Sequence, residues 1–202
     1  IVEVGAGAGV GVRFRNLLEV NPHARVHSFE PVASLRRQLE HRAVEDNLTL
    51  AGRRIWGVGL AEKDGRSRFQ VWGSDSTGSA MPAPGGSKRW EGHLEDGELR
   101  DADRVLADIS ELEGRPPDLL YLNCEGCEYE VLPRLNNTGR LRQMPRIAIS
   151  WHSGGAKWHQ RCAIDGMLKE SHRMTKAAVS YELWVMRGLD AGSSAGFAVS
   201  AP

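Results

Sequence analysis

The sequence lacks three features that would assign it to common functional classes. It has no apolar run approaching the ~18 residues of a membrane-spanning helix, and no secretory signal pattern opens it. It has no excess of one charge, since 26 Lys and Arg residues balance 26 Asp and Glu residues. A balanced chain has no net field to attract nucleic acid or an anionic membrane. We therefore expect no nucleic-acid partner and no membrane span.

Cysteine is also scarce. Cys124, Cys127 and Cys162 are an odd number and too few for a disulfide framework in a chain of 202 residues. They predict free thiols in a reducing compartment, which favours an intracellular location in the cytoplasm or an organelle. Because the chain starts inside an apolar run, we also expect further residues before Ile1 in the full protein.

What the sequence does contain is alternating apolar periodicity, which predicts strands and helices in turn. The predicted strands cover residues 1–4, 25–29, 54–60, 66–72, 119–122, 146–151, 174–179 and 182–186. The predicted helices cover residues 10–20, 35–44, 129–135 and 158–168. This order predicts an α/β fold with a doubly wound, mostly parallel sheet and antiparallel strands at its end. We expect one domain over residues 1–187 and a flexible tail over 188–202.

Three central stretches are less regular. Residues 54–60 and 66–72 flank an Asp-Gly turn, which predicts a hairpin-like extension. Residues 73–90 form a long Gly, Ser and Pro-rich loop, either a flap over the acceptor or a disordered segment. Residues 90–103 are acidic and predict a solvated face. Residues 105–112 predict a short strand or extended stretch followed by a helical turn.

The first strand ends in glycines at alternate positions, Gly5, Gly7 and Gly9. Such a turn lets backbone N–H groups approach a ligand closely. A dinucleotide fingerprint needs Gly-x-Gly-x-x-Gly or Ala, and the required position is Val10 or Val12. This spacing argues against a nicotinamide oxidoreductase. A turn of small residues that binds no ligand is the simpler alternative.

An acid follows the second predicted strand. Glu30 lies 21 residues after Gly9 and precedes Pro31. In a doubly wound sheet this position is beside the first glycine turn, where a carboxylate accepts hydrogen bonds from a ribose diol. A surface glutamate before a proline is the alternative reading. Together, the glycine turn and Glu30 predict one nucleoside-binding pocket.

A second polar cluster follows the predicted strand at residues 119–122. Asn123, Glu125 and Glu128 come at its carboxyl end and in the first turn of the helix behind it. Ligands collect at that edge of an open α/β sheet, although acids in a first helical turn also complement the helix dipole. Cys124 and Cys127 have the spacing of a zinc or redox pair, but no second ligand pair exists. We predict no metal site.

His152 follows the strand predicted at residues 146–151. A histidine titrates near neutral pH and can take a proton from an acceptor hydroxyl. A hydrogen-bonded structural histidine is the equal alternative.

Four segments in this order resemble the FkbM family of S-adenosylmethionine-dependent methyltransferases. That family typically shows an acid-x-Gly-Ala-Asn-x-Gly start, a Phe-Glu-Pro, and an Asp-Val-Glu-Gly-x-Glu segment at similar spacing. The corresponding segments here are residues 3–9, 29–31, 59–65 and 120–128. The resemblance runs from Ile1 to about Arg187 and implies a Rossmann-like class I methyltransferase fold with S-adenosylmethionine as cofactor.

The resemblance also implies roles for individual residues. Glu3 would hold the ammonium at the methionine end, beside Gly5, Ala6, Gly7 and Gly9. Glu30 with Pro31 would bind the ribose, and Gly59 with Leu60 would adjoin the adenine. Asn123 would contact the cofactor and, with Glu125 and His152, face a hydroxyl acceptor. The acceptor class is open among sugars, lipids, small metabolites and proteins.

The sequence departs from the family at three positions. Gly7 replaces the usual Asn, Asn123 the usual Asp, and Ser150 a common Glu. The last two remove carboxylates from the presumed reaction end. The resemblance therefore implies either an O-methyltransferase or a catalytically inactive methyltransferase-like subunit that serves as a binding or assembly module of a larger complex.

Overall fold

The computed structural model of the protein describes residues 1–8, 14, 18–19, 21, 23–45, 52–72, 92–152, 157–178 and 180–189. The strands in these ranges are β1 (Val2–Val4), β2 (Val26–Phe29), β3 (Arg53–Trp56), β4 (Val58–Ala61), β5 (Gly65–Trp72), β6 (Gly92–Asp101), β7 (Leu120–Leu122), β8 (Arg146–Ser150), β9 (His172–Ala177) and β10 (Tyr181–Met186). The α-helices are α1 (Ala33–Glu45), α2 (Ala102–Glu113), α3 (Glu128–Asn137) and α4 (Trp158–Ser171).

Seven of these strands form one sheet in the order β3-β2-β1-β7-β8-β10-β9. The neighbours from β3 to β8 run parallel, whereas β10 is antiparallel to both β8 and β9. The predicted doubly wound sheet with an antiparallel end is therefore confirmed. Every residue of its central strands β1, β2 and β7 is buried, so the sheet is covered on both faces, as parallel sheets require.

The register of the central strands brings three chain segments to one edge. Val4 is paired with Phe29 on one side and with Leu122 on the other. The residues that follow these strands therefore lie at the same level, at the carboxyl end of the sheet. Crevices at this edge are the usual ligand sites of open α/β sheets.

The strand predicted at residues 54–60 is in fact two strands. β3 belongs to the large sheet, and β4 belongs to a separate three-stranded sheet. The chain turns at Gly57, where a Cβ would collide with the guanidinium of Arg36. The break was hidden because residues 55–60 are an uninterrupted run of apolar residues and glycines.

The prediction of a hairpin is wrong, and the predicted solvated acidic face is the exposed side of a strand. Residues 92–101 form β6, which lies between β4 and β5 and pairs with both. Alternate positions along β6 are exposed, whereas Glu95, Gly97, Leu99 and Asp101 are wholly or partly buried. Burial alternates along β6 as in any strand, but its inward positions include two acids and a glycine. The sequence therefore shows no alternation of apolar and polar residues that would predict a strand.

The extended stretch predicted before residue 112 is also wrong, because Ala102–Glu113 is one helix. The Asp101 carboxylate caps this helix by accepting the N–H groups of Asp103 at 2.9 Å and Arg104 at 3.3 Å. Its end is set by Gly114, which has a left-handed φ of 68°. None of the described helices is long and apolar enough to cross a membrane.

Several predictions concern chain segments outside the described residues. They are Gly9, most of the helix predicted at residues 10–20, the loop at 73–90 and residues 190–202 of the predicted tail.

Candidate functional site

A cavity of about 480 Å³ lies at the carboxyl edge of β1, β2 and β7. Its volume is within the range of small-molecule sites. Eight of the predicted site residues line it: Gly5, Gly7, Glu30, Pro31, Gly59, Leu60, Asn123 and Glu125. The two polar clusters seen in the sequence are therefore parts of one site.

The glycine turn after β1 forms the floor of the cavity. Gly5 and Gly7 have φ values of 79° and 59°, the left-handed region that side chains disfavour. A Cβ on Gly5 would collide with the backbone of Asn123 and Cys124, so glycine lets the two loops touch. A Cβ on Gly7 would meet no atom within 4 Å. Since Gly7 lines the cavity, a larger side chain there would occupy space that a ligand needs.

Glu30 is held at the tip of β2 by two backbone donors. Its Oε2 accepts the N–H of Gly7 at 2.7 Å, and its Oε1 accepts the N–H of Val32 at 2.9 Å. The residue is only 4% exposed. Burial raises the pKa of the Glu30 carboxyl to about 7, although both N–H donors act in the opposite direction. These oxygens each have a further lone pair, so the carboxylate can also accept hydroxyl donors from the cavity.

Glu3 does not line the cavity, which corrects the prediction that it holds the methionine end. Its side chain is fully buried, and its Oε2 lies 3.1 Å from the Arg53 guanidinium and 2.7 Å from the Ser28 hydroxyl. Since side chains alternate along a strand, Glu3 points to the opposite face of β1 from Val4, which does line the cavity. Its carboxylate instead links β1, β2 and β3. Ala6 is also buried and lies outside the cavity lining.

The second part of the site is the loop between β7 and α3. Glu125 has a φ of 56°, the only left-handed value of a non-glycine residue among those described. Behind it, the Glu128 carboxylate is fully buried and accepts the N–H of Gly126 at 3.0 Å and of His152 at 2.8 Å. An acid in a first helical turn is common, so sequence alone gave no sign that Glu128 organises the loop.

His152 lies behind Glu125 and does not itself line the cavity. Its Nε2 is 3.4 Å from Glu125 Oε1, and its Nδ1 is 3.6 Å from Glu128 Oε1. Burial lowers the pKa of His152, but the nearby Glu128 and Glu125 carboxylates outweigh burial and raise it above its usual value. The structure thus brings together the predicted trio of Asn123, Glu125 and His152, with Glu125 facing the cavity.

The prediction of free thiols is wrong for two of the three cysteines. Cys124 and Cys127 form a disulfide, and Cys162 is free and exposed. The inference of a reducing compartment, which depended on three thiols, loses its basis. Cys124, Cys127 and Glu128 are close enough to suggest a metal site, but sulfurs joined in a disulfide cannot bind a metal as thiolates.

Sequence reasoning missed one wall of the cavity. Ser67 and Phe69 of β5 and Leu99 of β6 line it, together with Lys157. Alternation in residues 66–72 gave a signal for Phe69, but the placement of β6 beside it was not foreseen. Leu99 is paired with Gly59 in the three-stranded sheet, so Phe69 and Leu99 extend the surface of the Gly59 and Leu60 segment, and this apolar surface is suited to an aromatic ring.

The sequence matches no known family profile and no curated protein. Solved structures do resemble it. Methyltransferase FkbM from Methylobacillus flagellatus KT aligns with a TM-score of 0.57 and 16% identity, over 91% of this chain and 42% of that one. The chain has a methyltransferase fold. A proposed rRNA-methylase from Clostridium thermocellum aligns with a TM-score of 0.47 and 10% identity, over 91% of this chain and 82% of that one. With 42% of the FkbM protein aligned, this chain spans less than half the length of that protein.

Proposed function

We propose that this chain binds S-adenosylmethionine and transfers its methyl group to a hydroxyl acceptor. The observation that carries the proposal is the contact between Gly7 and Glu30 at the floor of the cavity. It places an acidic acceptor for a ribose diol against a turn with no Cβ, at the sheet edge where nucleoside ligands bind. The methyltransferase fold agrees with this chemistry.

The residues that line the cavity would divide such a ligand among them. Glu30 would accept the ribose hydroxyls, and Gly7 would leave room for the methionine portion. The adenine would lie against the surface that Gly59, Leu60, Phe69 and Leu99 form together. When bound, the cofactor supplies an electrophilic methyl group on a sulfonium sulfur.

The acceptor would bind at the Asn123 and Glu125 end. Glu125 would accept a hydrogen bond from the acceptor hydroxyl and orient its oxygen toward the methyl group. Glu125 would take the hydroxyl proton as the oxygen attacks and pass it to His152, whose Nε2 lies 3.4 Å from Glu125 Oε1. Asn123 would contact the cofactor near the reacting methyl group.

Calorimetry with S-adenosylmethionine and S-adenosylhomocysteine tests the binding step. We expect measurable heat and a thermal upshift with both ligands, since a ligand that binds the folded state stabilises it. Absence of both signals at millimolar ligand would refute the proposal. Transfer of a radiolabelled methyl group to a panel of sugars, lipids and small alcohols then tests catalysis.

A ligand-binding subunit without turnover is the second candidate. Two observations favour it: His152 is separated from the cavity by Glu125, and Ser150 and Asn123 stand where the resemblance implies carboxylates. Such a module would bind S-adenosylhomocysteine yet transfer no methyl group to any acceptor in the panel. Detected turnover would exclude it.

A further inference from the structure

The loop that carries Glu125 is closed on itself by a covalent bond. Cys124 and Cys127 are joined across Glu125 and Gly126, whose φ values are 56° and 114°. Two successive left-handed residues are unusual, and the first is not glycine. The disulfide encloses this conformation in a ring of four residues. An open chain would have to hold the same conformation without that link.

The disulfide faces the ligand cavity. Both cysteines line the cavity wall and are half-buried. A small dithiol or a thiol side chain of a partner that enters the cavity can therefore reach the sulfur atoms. The bond therefore differs from a disulfide that is buried in a protein core, which reagents cannot reach.

The surroundings of the two sulfurs differ. Cys127 lies at the N-terminus of the ten-residue helix α3, and its carbonyl accepts the N–H groups of Glu130 and Val131. A helix N-terminus stabilises a thiolate, which makes Cys127 the better leaving group. Cys124 Sγ lies 3.4 Å from Oε2 of the buried Glu128. A thiol at Cys124 would therefore have an acceptor already in place.

We propose that Cys124–Cys127 is a dithiol-reactive disulfide in the cavity wall, and that its reduction releases the loop carrying Glu125. A thiolate of the incoming dithiol attacks Cys124 Sγ, the sulfur–sulfur bond breaks, and Cys127 leaves as a thiolate that takes up a proton. The second thiolate of the reagent then attacks the mixed disulfide and releases Cys124, which is protonated and donates to Glu128. The reagent is oxidised to its disulfide, and the protein gains two electrons and two protons.

Release of the loop alters the acceptor end of the site, a consequence that rests on the proposed function. Without the ring, Glu125 is free to leave the left-handed region, and its contact with His152 is lost. The loop also packs against Gly5, where a Cβ would collide with the Cys124 backbone. Loosening there changes the floor of the cavity as well.

Alkylation of the native protein tests the reactivity. Cys162 is first replaced, as Cys162→Ser, so that only the disulfide pair is counted. The protein is equilibrated in mixtures of reduced and oxidised dithiothreitol, trapped with N-ethylmaleimide and weighed by mass spectrometry. We expect Cys124 and Cys127 to gain label together while the protein remains folded. Label that appears only after unfolding in guanidinium would overturn the proposal.

Hydrogen exchange tests the release of the loop and needs no cofactor. In the oxidised protein the Gly126 amide donates to Glu128 at 3.0 Å, so we expect it to be protected from exchange. After reduction, and in the Cys124→Ser/Cys127→Ser variant, we expect this amide to exchange about tenfold faster or more. Equal exchange rates would show that the bond does not hold the loop. The β9 amides are the internal reference, because β9 is the edge strand of the sheet, three strands away from β7, which the disulfide loop follows.

S-adenosylhomocysteine binding, measured in parallel, separates this inference from the proposed function. Weaker binding by the reduced form than by the oxidised form supports both. A disulfide that titrates in a protein binding no S-adenosylhomocysteine in either form refutes the cofactor assignment and leaves the reactive disulfide supported.

Discussion

The backbone N–H of Gly7 donates to Oε2 of Glu30 at 2.7 Å, across 23 positions of sequence. This bond joins the turn after β1 to the end of β2, and both residues line the same cavity. A carboxylate fixed in this way is oriented before any ligand arrives, which reduces the entropy that binding costs. Glu30 is therefore the first residue to replace in a test of the proposed cofactor site.

Replacement of Glu30 by Gln should weaken S-adenosylhomocysteine binding about 10- to 100-fold, the range expected for lost hydrogen bonds to a charged group. Glutamine keeps the volume, but its amide provides only one acceptor oxygen. Calorimetry measures the change. Glu40→Gln is the control, because Glu40 lies on the exposed part of α1 in an ion pair with Arg36. Equal losses in both variants would contradict the role of Glu30.

The raised pKa of Glu30 predicts a pH dependence of stability. In the folded state the carboxyl titrates at about 7 rather than 4.5, so between these values the folded protein holds a proton that the unfolded chain has released. The Glu30 contribution to stability is therefore present below pH 4.5 and is lost as the pH rises to about 7. The unfolding free energy of Glu30→Gln relative to wild type should rise by about 3 kcal/mol over this interval.

Urea unfolding at pH 4.5 and pH 8 measures that difference, since glutamine has no titration to contribute. The affinity for S-adenosylhomocysteine should change in the opposite sense and increase as the pH rises. Below pH 7 the carboxyl is protonated and loses acceptor capacity, so S-adenosylhomocysteine affinity should fall. A pH-independent difference in stability would show that Glu30 ionises as it does in water.

Replacement of Gly7 by Leu should abolish ligand binding while leaving the protein folded. The side chain would project into cavity space, where no protein atom lies within 4 Å of the new Cβ. The left-handed φ adds roughly 1–2 kcal/mol of strain. Gly139→Leu is the matched control, because Gly139 has a φ of 76°, an open Cβ position and no place in the cavity lining. Loss of binding in both variants would indicate strain rather than occupancy.

Much of the fold was readable from the sequence because its central parallel strands are short and largely apolar. The order of β1, β2, β7 and β8 followed from this pattern, and it placed Gly7, Glu30 and Asn123 at one edge. β6 was not readable, because its inward positions include Glu95, Gly97 and Asp101 and so carry no hydrophobic alternation. Pairing with β4 and β5, a tertiary effect, makes it a strand.

The site was predictable in its position and less so in its contacts. A carboxylate before a glycine turn suggested a cofactor ligand in Glu3, but strand alternation directs it to the opposite face, beside Arg53. Two cysteines three positions apart suggested thiols, whereas the tight turn at Glu125 and Gly126 brings their sulfurs together. Both outcomes depend on side-chain direction, which spacing alone does not give.

Replacement of Arg53 by Met should destabilise the fold by about 3–5 kcal/mol, because it removes the cation from a fully buried ion pair with Glu3. Arg68→Met is the control. Its ion pair with Asp96 is exposed, and we expect a loss below about 1 kcal/mol. Chemical denaturation measures both.

Glu3→Gln separates the structural role of Glu3 from a role in binding. Folded Glu3→Gln should bind S-adenosylhomocysteine nearly as well as wild type, since Glu3 does not line the cavity. A large loss of affinity without a loss of stability would restore the original assignment of Glu3 to the methionine end.

His152 should titrate above pH 6.5, because the Glu128 and Glu125 carboxylates outweigh the effect of burial and raise its pKa. A base must be neutral to accept a proton, so a methyl-transfer rate that depends on His152 should rise with pH through this raised pKa and then level off. His152→Asn should lower the rate by about 100-fold or more while S-adenosylhomocysteine still binds. His159→Asn, an exposed position on α4, is the control.

Glu125→Gln tests the origin of the raised His152 pKa. It removes the carboxylate that lies 3.4 Å from His152 Nε2 and keeps the shape of the side chain. The pKa of His152 should fall in this variant, and any rate profile should move to lower pH with it. NMR titration of the imidazole ring measures the change without an acceptor substrate. A ring that titrates below 6.5 in wild type would contradict the raised pKa. A His152 pKa that is unchanged in Glu125→Gln would mean that the two side chains do not interact across the 3.4 Å contact, and a proton transfer that involves both would then have no basis.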